Sequence, residues 1–242
     1  MSKSAELTRK DMKEPDKFQV VAGEAAAWVT ARKKQAVVVA AVVAAVLLAV
    51  VAGLGLSDSK TKAAGAALSE VYKVAGGELS PVPLPGVQGP FFPTDEARQK
   101  AVAEAAAKAA SQHAGTRPGA LASLALGDAK LRLGEWDAAV TAYNAYLAGA
   151  PKEDALRFGA LEGLAMAEEG KKNADAALAA WARLGAEVPA YADRADLEKA
   201  RVLAASGKVE EAKKLLTGFA EAHKESILGG EAAERLAKLG GQ

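Results

Sequence analysis

The feature that most limits what this chain can fold into is residues 36–56, AVVVAAVVAAVLLAVVAGLGL. They carry no charge, no proline and no strongly hydrogen-bonding side chain. As a helix rising about 1.5 Å per residue the stretch would be roughly 31 Å long, the thickness of a bilayer's hydrocarbon core. Its eight Val and four Leu favour insertion by about 4–7 kcal/mol together. The stretch therefore predicts one transmembrane helix, dividing the chain into a short head, 1–35, and a long body. Arg32, Lys33 and Lys34 abut the apolar run, and Trp28 is placed to lie at headgroup level. These four anchor residues set the topology, with the N-terminus cytosolic and Ser57 onward across the membrane. Phe18, Val21, Ala25, Trp28 and Val29 recur at helical spacing and predict an amphipathic juxtamembrane helix. The apolar run exceeds the usual 7–15 residues of a signal-peptide core, so the anchor reads as uncleaved.

The body has no cysteine, which removes disulfides, thiolate metal sites, a Cys nucleophile and a lipidated Cys from consideration. Its charges nearly balance, leaving no concentrated basic face for nucleic acid. Abundant Ala and few aromatics favour helices over sheet, so the fold class is all-α. Ala67, Leu68, Val71, Tyr72 and Ala75 form a helical stripe that continues from the span and stops at Gly76-Gly77. Pro81, Pro83, Pro85, Pro90 and Pro93 then exclude a helix or an interior strand from 78–93, so 57–93 reads as a helix followed by a proline-rich linker. Thr94 caps the next helix, with Asp95 and Glu96 in its first turn, and the break at Gly115–Pro118 ends it.

From Ala120 the sequence repeats at a period of 36–37 residues. Gly127 and Gly134 are followed by Trp136, Ala139, Tyr143 and Pro151. Gly163 and Gly170 repeat the same spacing, and Ala177, Trp181 and Pro189 follow, with KKNADA read as a longer turn between the helices. A third copy carries Ala200, Gly207, Val209, Ala212 and Leu216, and Ser226–Leu239 reads as a capping helix. Small residues sit where helices cross, large ones fill the gaps between pairs, and Gly ends the first helix of a pair. The pair 94–133 is expected to be a degenerate earlier unit.

This pattern resembles the tetratricopeptide repeat, a helix-turn-helix unit stacked into an α-solenoid. The resemblance covers residues 94–242 with about three units and a cap. The whole layout is similar to the YfgM family, ancillary subunits of the bacterial Sec translocon. It has a short head with Trp28 and Arg32-Lys33-Lys34, one span, and an Ala-rich repeat body entered through HAGTRPGALASLALGDAKL. That resemblance implies a single-pass protein of the bacterial inner membrane with a periplasmic repeat domain. It also implies protein partners: translocon subunits, a periplasmic chaperone and unfolded exported clients.

No constellation for catalysis or cofactor binding is legible. His113 and His223 are isolated helix-end residues without further metal ligands at fixed spacing. The acidic pairs Glu168-Glu169, Glu210-Glu211 and Asp193/Asp196 fall on helix faces or turns rather than around a cleft. The expectation is thus a binding protein with no cofactor and no enzymatic activity. In this repeat the first helix of each unit lines the binding groove. The groove set read from the repeats is Leu121, Leu124, Asp128, Leu131 and Arg132, then Arg157, Ala160, Leu164 and Glu168, then Arg194, Leu197 and Arg201. Apolar and forked cationic groups together suit an extended polypeptide. A scaffold subunit of another envelope complex is the alternative reading.

Overall fold

The computed structural model describes residues 59–241 except Val87, together with Val42 and residues 46–48, which are helical. The rest of the predicted span, the head, and the anchors Trp28, Arg32, Lys33 and Lys34 lie outside the described residues. Among the described residues, no helix is long and apolar enough to cross a membrane.

Nine helical segments are described from Ser59 onward. They are α1 (helical residues 59–75), α2 (Asp95–Gln112), α3 (Arg117–Arg132), α4 (Trp136–Gly149), α5 (Arg157–Gly170), α6 (Ala174–Glu187), α7 (Ala192–Ala205), α8 (Val209–Ala222) and α9 (Gly229–Gly240). A 3₁₀ turn, Pro189–Tyr191, precedes α7. Three starts are capped by side chains that accept from the orphaned first-turn amides. Thr94 Oγ1 accepts from Ala97 N–H, Thr116 Oγ1 from Gly119 N–H and Asn173 Oδ1 from Ala176 N–H, at 3.1–3.3 Å.

The proline-rich segment is not wholly loop. Its ends form two two-residue strands, β1 (Glu78–Leu79) and β2 (Phe91–Phe92), paired in parallel with Glu78 opposite Phe91. No proline lies within the ladder, where its missing N–H would cost a bond. Arg98 of α2 holds the base by donating to the Gly77 carbonyl at 3.2 Å. The Phe92 ring packs so closely on Gly77 that a Cβ there would lie 2.5 Å from it. Pro81–Gly86 stand exposed beyond this base.

Each helix packs mainly on its neighbours in sequence, with an added contact between α3 and α5. Leu68 and Val71 of α1 share one apolar core with Val102, Ala103, Ala106 and Ala109 of α2 and Ala122 and Ala129 of α3. The earlier unit is therefore the pair α1/α2, with the proline-rich segment as its interhelical connection, rather than 94–133. Packing continues across the expected boundary at Thr94.

The three hairpins α3/α4, α5/α6 and α7/α8 have the same turn. Gly134, Lys172 and Gly207 occupy its left-handed position, with φ of 71°, 60° and 82°. The next residue in each turn, Glu135, Asn173 or Lys208, donates its N–H to a helix carbonyl at 2.9 Å. This corrects the sequence register of the second unit. Its turn is no longer than the others, and Lys172, not Gly170, corresponds to Gly134. The variable lengths lie between units, at 150–156 and 188–191.

The seven-residue spacing of Gly163 and Gly170 has another cause. Helix α4 runs against α5, and Gly163 and Gly170 receive the Tyr143 and Trp136 rings. Any Cβ at Gly163 would overlap the Tyr143 ring, and one at Gly170 would come within 2.5 Å of Trp136. Gly127 and Gly134 have the same seven-residue spacing, about two helical turns, and that coincidence produced the false equivalence. Gly127 makes room for Tyr143 from the α3 side, at 2.7 Å. In the second unit Trp181 stands at the Tyr143 position and in the third Leu216, all buried.

Candidate partner-binding face

Taking the left-handed turn residue as origin brings the first helices into one register. Leu121, Leu124, Asp128 and Leu131 of α3 then correspond to Gly159, Glu162, Met166 and Glu169 of α5, and to Arg194, Leu197, Arg201 and Ala204 of α7. The groove residues read from the sequence in the first and third units hold this register. Those read in the second unit are two residues out of step, and the consequence is burial. Arg157 is 3% exposed. It donates to the Leu147 and Ala150 carbonyls at 3.0 and 3.2 Å and to Glu187 at 2.5–2.9 Å, stitching α5 to α4 and α6. Ala160 and Leu164 belong to the core of the first two units. Glu168 is buried beside Lys171, which also reaches Asp137 at 3.1 Å. None of these four offers a side chain to a partner.

Elsewhere the face is mixed. Leu121, Leu124 and Leu131 are half-buried against the core, and Leu197 is buried within the core of the third unit and cap. Asp128, Arg132, Arg194 and Arg201 are exposed. Asp128 Oδ1 accepts from the Tyr143 hydroxyl at 2.8 Å. Although Asp128 keeps open surface, burial around its carboxyl pushes its pKa above the ordinary Asp value, against the lowering effect of the Tyr143 hydrogen bond and Arg132. Burial, then the nearby Asp128 charge, raises the Tyr143 phenol far above its usual range, so it stays a neutral donor.

The arginines of α7 are not idle. Arg194 forks onto Glu162 of α5 at 2.5–3.2 Å. Arg201 forks onto Glu169 of α5, at 2.8 Å from both nitrogens, and donates to Glu198 of its own helix at 2.6 Å. Those hydrogen bonds, Glu169 first, hold the Arg201 guanidinium charged well beyond the ordinary arginine range. Arg235 of α9 continues the series to Glu198 at 3.2 Å and to the Leu197 carbonyl at 3.1 Å. A ladder of ion pairs thus joins the second unit, the third unit and the cap.

Between α3 and α5 the ladder is missing. Leu124 and Leu131 stand where α5 has Glu162 and Glu169, and Gly159 and Met166 stand where α7 has Arg194 and Arg201. In this step lies a cavity of about 440 Å³, lined by Asp128, Leu131, Arg132, Tyr143, Gly159, Glu162, Gly163 and Met166. Met166 is 49% exposed. Gly159, Glu162, Met166 and Glu169 escape the sequence reading. The spacing of Ala139, Ala177 and Ala212 in the second helices carries the correct register and would have found them.

The geometry defines a protein of stacked helical hairpins with one partly apolar, partly ion-paired face. No family model matches the chain, and no curated protein matches it. Among the solved structures similar to it are two of a Podosopora anserina putative kinesin light chain with nearly identical TPR-like repeats, one of them carrying a single substitution. Each is 16% identical, covers 60% of this chain, and has a TM-score of 0.49. The match covers 79% of the unsubstituted protein and 78% of the substituted one.

Proposed function

We propose that the chain is a membrane-tethered protein-binding module that acts through the first-helix face of its repeats. The observation that carries this reading is the open α3/α5 step, with an exposed Met166 in a face otherwise tied by ion pairs. The reading is one of binding and not of chemistry. His223 is held by Asp196 at 2.9 Å, and Asp193 accepts from Ser226 at 2.5 Å, so these groups have structural partners. The tether is supported by the composition of 36–56 and by Val42, Val46, Leu47 and Leu48, which are helical and more than half exposed. Tethering would raise the effective concentration of the face at the membrane.

The finer reading, carried over from the resemblance to the YfgM family, places the repeats in the periplasm beside the Sec translocon. They would there assist exported polypeptides together with a chaperone. Its test is purification from membranes in mild detergent. Stoichiometric recovery of translocon subunits supports it, and their absence beside a different abundant partner sinks it. A periplasm-active reporter fused after Gln242 tests the topology and should be active. The exposed arch Pro81–Gly86, with Val82 and Leu84 uncovered, favours the second reading, a scaffold subunit docked through that arch in another envelope complex.

A further inference from the structure

We infer that the proline-rich arch, Pro81–Gly86, docks into a partner protein's groove lined by Trp or Tyr side chains, which donate to the free carbonyls of the arch. The inference deepens the second reading, the arch-docked subunit, by naming the partner's chemistry. It is independent of the first-helix face.

The arch is uncharged and uncovered. No residue from 79 to 93 carries a charge, so nothing in the segment recruits a partner by ion pairing. Pro81, Pro83 and Pro85 are exposed, and Val82 and Leu84 between them are 60% and 41% exposed. The arch is also held in shape. Each proline fixes its own φ and drives the residue before it, Ser80, Val82 or Leu84, toward extended backbone. Ser80, buried at the foot, donates its N–H to the Phe92 carbonyl at 2.9 Å and its hydroxyl to the Val82 carbonyl at 2.6 Å. A segment so constrained loses little freedom when a partner closes on it.

Its hydrogen-bonding groups are one-sided. Pro81, Pro83 and Pro85 have no N–H, and the Val82 N–H faces Ser80 Oγ at 3.4 Å. The Pro81 and Pro83 carbonyls accept no hydrogen bond among the described residues. A partner must therefore bring donors together with apolar surface. Indole N–H and phenol O–H groups do both, because the flat ring stacks on a pyrrolidine ring while its polar edge donates. Lysine or arginine donors would lose water with no acidic group on the arch to pair them. The same bare carbonyls disfavour insertion into lipid, since hydrocarbon offers no donor.

The experiment places a photoreactive benzophenone side chain at Leu84 of the full chain, in the membranes of its own cells, and maps the adducts by mass spectrometry. The adduct should map to one protein, in a groove lined by Trp or Tyr. The same probe at Glu221, exposed on α8, should not give that adduct. Pro81→Ala and Pro83→Ala together should cut its yield at least about tenfold. Val82→Asp, which puts a charge on an exposed side chain and leaves the prolines in place, should give the same loss and guards against misfolding of the first variant. An adduct on a surface without aromatic side chains, or one that survives both variants, overturns the inference and leaves arch docking standing. Adducts on lipid alone, or none, overturn both. The first-helix reading stands in either case.

Discussion

Tyr143 shows how much depends on single side chains in this stack. Its ring fills the space left by Gly127 and Gly163, and its hydroxyl reaches Asp128 on the binding face. Gly163→Ala should therefore cost about 1–3 kcal/mol, since the ring cannot yield without disturbing α4. Gly159→Ala, four residues away on the same helix, should stabilise by about 0.5–1 kcal/mol, because nothing occupies its space. Urea denaturation of the two variants tests the opposite signs. Arg157→Met should cost about 2–4 kcal/mol by removing the donor from two buried carbonyls, also read from urea midpoints. Its partner Glu187 governs part of the acid limb. Burial pushes the Glu187 carboxyl up, but hydrogen bonds from Arg183 and Arg157 outweigh it and hold the group below its ordinary value of 4.5. A lowered carboxylate stabilises above its unfolded pKa, and that contribution is lost as pH falls through the folded value. Glu187→Gln should flatten the fall in melting temperature below about pH 4.5. Asp128 has the opposite sign, because its raised carboxyl favours the folded state only toward acid.

At the scale of elements, the hairpin turn is the most regular device in the chain. Lys172 adopts φ 60° where the other two units have glycine. Lys172→Gly should relieve about 1 kcal/mol of left-handed strain and raise the melting temperature by about 2–4 °C, measurable by circular dichroism. The helices and the Thr94 cap were legible in the sequence, because Thr94, Pro118 and the Ala-rich periodicity act locally, whereas the Thr116 and Asn173 caps were read only as parts of a break and a turn. The repeat was legible too, through Ala139, Ala177 and Ala212. The second unit's first helix was misread for a physical reason. Its conspicuous glycines answer to the rings of the preceding helix, and its turn residue is a lysine that signals nothing. The parallel β1/β2 pairing was hidden because two residues per strand carry no periodicity, and the pairing depends on Arg98 and Phe92 packing around Gly77.

At the scale of the whole repeat body, charge and apolarity are segregated along one face. Ion pairs tie the second unit to the third and the third to the cap, while the α3/α5 step relies on apolar contact and the Tyr143 wedge. Arg194 is half exposed, so the Glu162–Arg194 pair should contribute only about 0.2–1 kcal/mol in a double-mutant cycle. A value well above that range would show the ladder to be a main source of stability rather than of alignment. The predicted groove was legible only as a composition, Leu with Arg. Which arginines were free and which were spent was not, because that depends on neighbours roughly one repeat away.

The fit of Trp136 and Tyr143 into Gly170 and Gly163 also fixes the order of the units. If the second hairpin were excised and α7 brought against α4, the same rings would meet Ala205 and Glu198, which stand at the corresponding positions. The hairpins share a plan but are not exchangeable parts. Duplication or loss of one unit would have to carry the ring-and-glycine pair together, and that pair spans the junction between two hairpins, so this array keeps the fit only by recombining within a hairpin, not between hairpins.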